Sequence, residues 1–240
     1  MRTDRLGAGA STAVTDRVGG TSTGPFASLN LSLNVSDEPD RVAANRWRAA
    51  VGAGLDPERV VWMDQAHGSG VAVVEQLPAG PVPGVDALVT RSRELALAVL
   101  VADCVPVLLA DGAAEVVAAA HAGRRGLAAG VVQATVAAMS ALGADPANVT
   151  ALVGPAVGPC CYEVPAEMRD EVAAGVPEAA ARTRAGSPAL DLPAGVLALL
   201  HRAGVRRCVR SSVCTVDDPA YFSHRRDGVT GRFAGYAWLS

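Results

Sequence analysis

The chain has 240 residues, half of them apolar, with 25 Gly, 15 Pro and 19% charged side chains; this excludes a disordered tail protein, a collagen-like repeat and a coiled coil. The formal charge of −3 gives no global field for nucleic acid or an anionic membrane, and no apolar run is long enough to span a bilayer. All 21 basic residues are Arg, so Schiff-base chemistry and a P-loop lysine are excluded for want of a side-chain amine.

In chain order, residues 13–18 read as a short strand, followed by the turn-rich loop GGTSTGPFASLN. Asp37 is placed to cap a helix over 38–50, with Pro39 tolerated in its first turn. Residues 59–63 and 70–75 are β-branched runs around the polar turn DQAHGSG. Residues 86–90 and 95–101 read as buried strands, 106–110 continues after a break at Asp103 and Cys104, and 115–120 is an alanine-rich strand. Leu127, Val131, Thr135, Met139 and Leu142 recur at helical spacing, which predicts one helix over 124–142 ending at Gly143. A strand over 149–153, helices over 165–174 and 193–203, and terminal strands over 205–210 and 235–239 complete the set. Helices and strands mix without strict βαβ alternation. The expectation is an α+β fold, a single domain over 1–240 with a mixed, partly antiparallel β-sheet and helices packed on it.

Residues 1–12 contain no apolar signal segment. The five cysteines, Cys104, Cys160, Cys161, Cys208 and Cys214, are odd in number. Both facts predict a reducing, cytoplasmic setting with free thiols or a metal site rather than a disulfide scaffold. Three residues at strand breaks then stand out: His67 in DQAHGSG, Cys104 in VADCVPVLLAD and His121 in AAAHAGRRG. Their gaps of 37 and 17 residues match no short zinc-finger spacing. Two imidazoles and a thiolate do make a three-ligand set that leaves a fourth position open. Read from the residues alone, the plainer account is favoured: a half-buried His, a small apolar Cys and an unrelated second His.

The chain resembles the laccase-domain family, whose members are also described as multicopper polyphenol oxidase-like proteins, peptidoglycan-editing factors and purine nucleoside phosphorylases. The resemblance runs from about residue 17 to 239 and rests on GPFASLNLSLNVSDEPDRVAANR, DQAHG, DALVT, ADCVPVLLAD, HAGRRG, GPAVGPCCYEV, YFSHRRDGVTGR and GYAWL, in the family's order. It implies zinc held by His67, Cys104 and His121, with copper only as an adventitious substitute. It also implies phosphorolysis of adenosine, inosine or methylthioadenosine, with adenosine deamination as a side activity, so the expected partners are a small nucleoside and phosphate. Arg124 stands where the family usually has Trp, which bears on packing and substrate range.

Asp103, next to a ligand, is the expected acid/base, or else it orients that ligand. Arg124 and Arg125 open the helix after His121, where a helix N-terminus and a guanidinium together suit phosphate. Asn30 and Arg46, with Ser28, are candidates for ribose or phosphate; their plainer readings are a turn residue and a solvated helix face. Cys160 and Cys161 read as reduced packing residues. Residues 202–232 hold seven Arg against three Asp; Arg225, Arg226 and Asp227 are further site candidates there, as is His224 through its family block, whereas Tyr236, Trp238 and His201 read as structural.

Three rivals follow from the same residues. A blue-copper site would use two His, one Cys and Met63, but a multicopper oxidase needs a His-rich cluster and the chain has four His. Cys104 could be a nucleophile editing peptidoglycan precursors, with a His as base. The chain could also be a binding module of a division-related complex. The zinc-deaminase pattern H-x-E with P-C-x-x-C is absent.

Overall fold

The computed structural model describes residues 2–240. Two sheets lie face to face. The first has the order Arg2–Arg5, Ala10–Val14, Phe233–Leu239, Ala96–Val101, Val60–Val61. The second has the order Arg207–Arg210, Thr150–Val153, Val105–Asp111, Val116–Ala122, Ala87–Thr90, Val71–Val73. Most neighbours are antiparallel, but Val60–Val61 with Ala96–Val101, Val71–Val73 with Ala87–Thr90 and Thr150–Val153 with Arg207–Arg210 are parallel. The α+β fold and its mixed pairing are thus present, divided between two principal sheets rather than gathered in one.

The central strands are apolar on both faces because both faces are covered. Leu108, Ala110, Val117 and Ala119 meet Leu97, Val99, Val101 and Phe233 between the sheets. Their alternates Val105, Val107, Leu109, Val116, Ala118 and Ala120 turn to the outer face, as the period of two requires. There they pack on Leu127, Val131, Met139, Leu199 and Leu200 from the helices Arg124–Ala129, Val131–Ala141 and Leu192–Arg202. The helix Pro39–Gly52 covers the other sheet, setting Ala49 and Ala50 against Ala98, Ala234 and Tyr236. The layers therefore run helix, sheet, sheet, helix.

Several boundaries differ from expectation for local reasons. The first predicted strand lies earlier, at Ala10–Val14, because its ladder is set by Arg2–Arg5 and Phe233–Leu239. Asp37 does not cap the Pro39–Gly52 helix at its first turn; Glu38 is the cap residue, and one Asp37 carboxylate oxygen is taken by the Ser22 hydroxyl and the Asn30 amide. The run at 59–63 splits into Val60–Val61 and Met63–Asp64, which pair with different partners. The helix expected over 124–142 breaks in two at Gly130, whose φ of 90° lies in the left-handed region. The hairpin Ala180–Arg182 with Pro188–Leu190 and the turn of helix His224–Asp227 were not anticipated.

One connection positions the site. The chain leaves the first sheet at Val101, turns through Ala102, Asp103 and Cys104, and enters the second at Val105. Cys104 therefore sits at an inter-sheet corner, beside the end of the Val116–Ala122 strand, where Ala122 pairs with Val105 and His121 with Pro106.

Candidate metal centre

His67, Cys104 and His121 converge at that corner. One ligand atom from each lies within 4.8 Å of the others. The two imidazoles meet edge to face with centroids 4.6 Å apart. His121 is buried inside its strand, not in the following loop; His67 is exposed in the loop leading to Val71–Val73. A Cβ on Gly123 would stand 3.0 Å from the Cys104 sulfur, 3.4 Å from His67 and 3.5 Å from His121, so only glycine leaves the three groups room to close on one point. His67 and Asp103 both hold left-handed backbone, at φ 60° and 88°, a conformation that non-glycine residues keep only where surrounding contacts enforce it.

Asp86 supplies that enforcement for His67 and was missed in the sequence as anything but a strand start. It is fully buried, at 0% exposure. One carboxylate oxygen accepts the His67 backbone N–H at 2.9 Å and meets His121 Nδ1 at 2.8 Å; the other accepts the Gly68 N–H at 2.7 Å. With Nδ1 engaged by the carboxylate, Nε2 of His121 is the nitrogen left for a ligand, the arrangement by which buried carboxylates orient metal-binding imidazoles. Burial raises the Asp86 pKa, yet the contacts from His121, Gly68 and His67 outweigh it and hold the carboxyl below its usual range.

The same balance operates across the ligands. Burial pushes the Cys104 thiol up, but the charge and hydrogen bonds of His121 and then His67 bring it down to about 6. Burial pushes His121 down, but Cys104 and Asp86 bring it up to about 9. The lowered Cys104 pKa favours the thiolate, the form of cysteine that binds a metal.

Over Cys104 opens a cavity of about 390 Å³ whose lining includes Asp103, Tyr162, Leu192, His224 and Arg225. That volume is in the range of small-molecule sites. The Arg225 guanidinium lies 5.0 Å from the centre of the Tyr162 ring. The Asp103 carboxylate accepts the Thr215 hydroxyl at 2.6 Å and the Arg225 backbone N–H at 2.6 Å, so it ties the His224–Asp227 turn to the metal corner. Arg226 faces away from the cavity, its guanidinium spread over the carbonyls of Thr215, Val216, Asp218 and Tyr221 and the carboxylate of Asp227.

The remaining expected contacts fall elsewhere. Arg125 is exposed on the helix turn after His121. Asn30 is fully buried; its amide donates to Ser32 and Asp37 and its oxygen accepts from Ser32 and Arg232, which uses its capacity on structure. Arg46 stacks 4.0 Å over Trp62, donates to the Leu31 carbonyl, and lines a separate cavity with Asn34, Met63 and Asp64. Cys160 and Cys161 are not core packing: both are half-buried and lie near Cys214 and Asp217.

The family model for multi-copper polyphenol oxidoreductase laccase matches residues 11–240. The chain belongs to this family. Within it, the purine nucleoside phosphorylase of Streptomyces coelicolor is 59% identical over 233 residues, 96% of each chain. Purine nucleoside phosphorylase YfiH of Escherichia coli is 37% identical over 234 residues, 96% of this chain and 94% of that one. The crystal structure of YlmD from Geobacillus stearothermophilus superposes with a TM-score of 0.90 at 37% identity, covering 97% of this chain and 92% of that one. The laccase-domain resemblance read from the motifs is therefore correct, and the fold is shared with solved family members. Among the described residues no helix is long and apolar enough to cross a membrane.

Proposed function

We propose that the chain, acting as one domain over 1–240, is a zinc-dependent purine nucleoside phosphorylase of the cytoplasm. Adenosine, inosine and methylthioadenosine are its proposed substrates, and adenosine deamination is a side activity. The observation that carries the reading is the convergence of His67, Cys104 and His121 within 4.8 Å at the corner where the cavity opens. The relatives' names supply the reaction class. Two nitrogens, one sulfur, a buried carboxylate behind one imidazole and a glycine cradle fit zinc; a His-rich copper cluster has no residues to build it from, and Met63 is packed in the core between the sheets. Bound by these three residues, the metal would supply an electrophile with an open fourth position, suited to polarising a purine or activating a water.

The chain's own groups do the rest. In phosphorolysis a phosphate oxygen bonds to the sugar C1′ while the bond to the base nitrogen breaks and that nitrogen keeps the electron pair. The Arg225 guanidinium, on the cavity wall, and Arg125, at the helix turn after His121, are the proposed phosphate holders. The face of Tyr162 offers a stacking surface for the base. Asp103, held by Thr215 and the Arg225 N–H, is proposed to fix Arg225 and Cys104 relative to each other.

A second reading rests on the same proximity: the Cys104 sulfur and the His121 imidazole, within 4.8 Å, form a nucleophile–base pair for hydrolysis when the imidazole is neutral. One experiment separates the two. Under the zinc reading, His67→Ala, Cys104→Ala and His121→Ala each lose most bound zinc and most turnover of adenosine. Full turnover by Cys104→Ala with full zinc would reject the ligand assignment, and full turnover of a metal-free wild-type chain would favour the hydrolase.

A further inference from the structure

A second cluster lies outside the site just described. Cys160 and Cys161 come from the loop after the Thr150–Val153 strand, and Cys214 and Asp217 from a turn 54 residues further on, counted from Cys160 to Cys214. Their four ligand atoms all lie within 4.8 Å of one another. The Cys160 sulfur is 3.2 Å from that of Cys161 and 3.6 Å from that of Cys214; the Asp217 oxygens are 3.6 Å from Cys160 and 3.5 Å from Cys161. Tetrahedral zinc with bonds of about 2.3 Å to sulfur and about 2.0–2.2 Å to oxygen has ligand–ligand edges of roughly 3.6–3.8 Å. The Cys160–Cys214 and sulfur–carboxylate spacings lie within about two tenths of an ångström of these edges, and the Cys160–Cys161 pair, at 3.2 Å, would open by about half an ångström to take the ion.

The local backbone supports the same end. Cys214 and Asp217 are spaced C-x-x-D, and the N–H groups of Asp217 and Asp218 both donate to the Cys214 carbonyl, which closes a tight turn. The Cys214 sulfur receives the backbone N–H of Gly158 at 3.2 Å. An N–H donor on the sulfur favours the thiolate, the form that takes a metal. A Cβ on Gly158 would stand 3.2 Å from the Cys160 sulfur and 3.4 Å from that of Cys214, filling the space the sulfurs share. On the outer side Arg184 donates to both Asp217 oxygens and approaches the Cys161 sulfur at 3.9 Å, so a positive charge already offsets part of a four-anion set and holds the carboxylate in place.

We propose that Cys160, Cys161, Cys214 and Asp217 form a second metal site that takes one tetrahedral zinc ion. The ion clasps the loop at 158–162 to the turn at 214–217. Binding needs no oxidant: each thiol gives its proton to water as its sulfur bonds the cation. The clasp has a structural consequence for the cavity. Its first loop carries Tyr162, and its second continues through Thr215, which holds Asp103, to Arg225. Two cavity walls would thereby be joined by one ion that touches neither His67, Cys104 nor His121. The proposal does not rest on the nucleoside reading.

The test is zinc stoichiometry of the intact chain by native mass spectrometry. Wild type is expected to hold two zinc ions, Cys160→Ser with Cys214→Ser one, and His67→Ala with His121→Ala also one. Cobalt substitution identifies which site remains: the His variant should keep an intense thiolate-to-cobalt band from three sulfurs, and the Cys variant should lose most of it. To guard against misfolding of the variants, wild type is alkylated with iodoacetamide before and after chelation. Cys160, Cys161 and Cys214 should be protected until the chelator is added, whereas Cys208 should label alike in both. Equal labelling of the three in both conditions, or zinc content and cobalt band unchanged in the double Cys variant, would overturn the proposal. A disulfide among them in protein purified under reducing conditions would also overturn it.

Discussion

At the scale of single residues, the candidate metal corner depends on groups outside its three proposed ligands. Asp86 is one: its carboxylate holds two backbone N–H groups and one imidazole nitrogen at once. Asp86→Asn removes the charge and is expected to weaken zinc binding by about 10–100-fold, measured by chelator competition, while the far-UV circular dichroism stays that of wild type. An unchanged affinity would mean that the carboxylate only braces the loop. Arg125 belongs to the same scale. A charge-assisted phosphate contact is worth about 1.5–3 kcal/mol, so Arg125→Ala should lose roughly tenfold to a hundredfold in apparent phosphate affinity, with deamination, which needs water instead, losing less. Equal loss of both activities would remove Arg125 from the phosphate site, and Arg225→Ala is then the next variant to measure. His67, Cys104 and His121 could be picked out as candidates because each stands in a long motif, although His121 lies within its strand and not at a break. Asp86 could not, since its role is made by two loops that meet only in three dimensions. Asn30 illustrates the converse: a polar residue in a family-like block whose whole hydrogen-bonding capacity turns out to serve the fold.

At the scale of elements, apolar periodicity located most of the longer strands and helices but not where they stop, and it gave no sign of Arg2–Arg5 or of the Ala180–Arg182 hairpin. Leu127, Val131, Thr135 and Met139 keep helical spacing straight through Gly130, so the pattern alone cannot reveal the break; the left-handed φ of 90° there lets the short Arg124–Ala129 turn aim its start at the metal corner while Val131–Ala141 packs on the sheet. An alanine forced into left-handed backbone costs about 1–2 kcal/mol, so Gly130→Ala should lower the unfolding free energy by that much, read as a lower denaturation midpoint with an unchanged slope. A neutral or stabilised variant would show that a continuous helix is tolerated at this point. The split at Trp62 has a similar origin: a β-branched run gives no sign of which sheet each half will join.

At the scale of the whole molecule, the α+β class and mixed pairing could be read from element order, but the division into two sheets could not. That division is set by the turn from Val101 to Val105, and no local pattern distinguishes a corner between sheets from a bulge within one. The corner matters for function, since it puts Cys104 beside His121 at the rim of the cavity. Leu108 anchors the packing between the sheets, fully buried among Val99, Phe233 and Val117. Leu108→Ala should cost about 2–5 kcal/mol of stability by equilibrium unfolding. The central claim is phosphorolysis at the corner organised by His67, Cys104 and His121. It is tested most directly by incubating the zinc-loaded chain with adenosine, with and without inorganic phosphate, and identifying the products by mass. The expected result is adenine with ribose 1-phosphate only when phosphate is present, abolished in His121→Ala. Absence of adenine and ribose 1-phosphate from a fully zinc-loaded, folded chain supplied with phosphate would contradict the account.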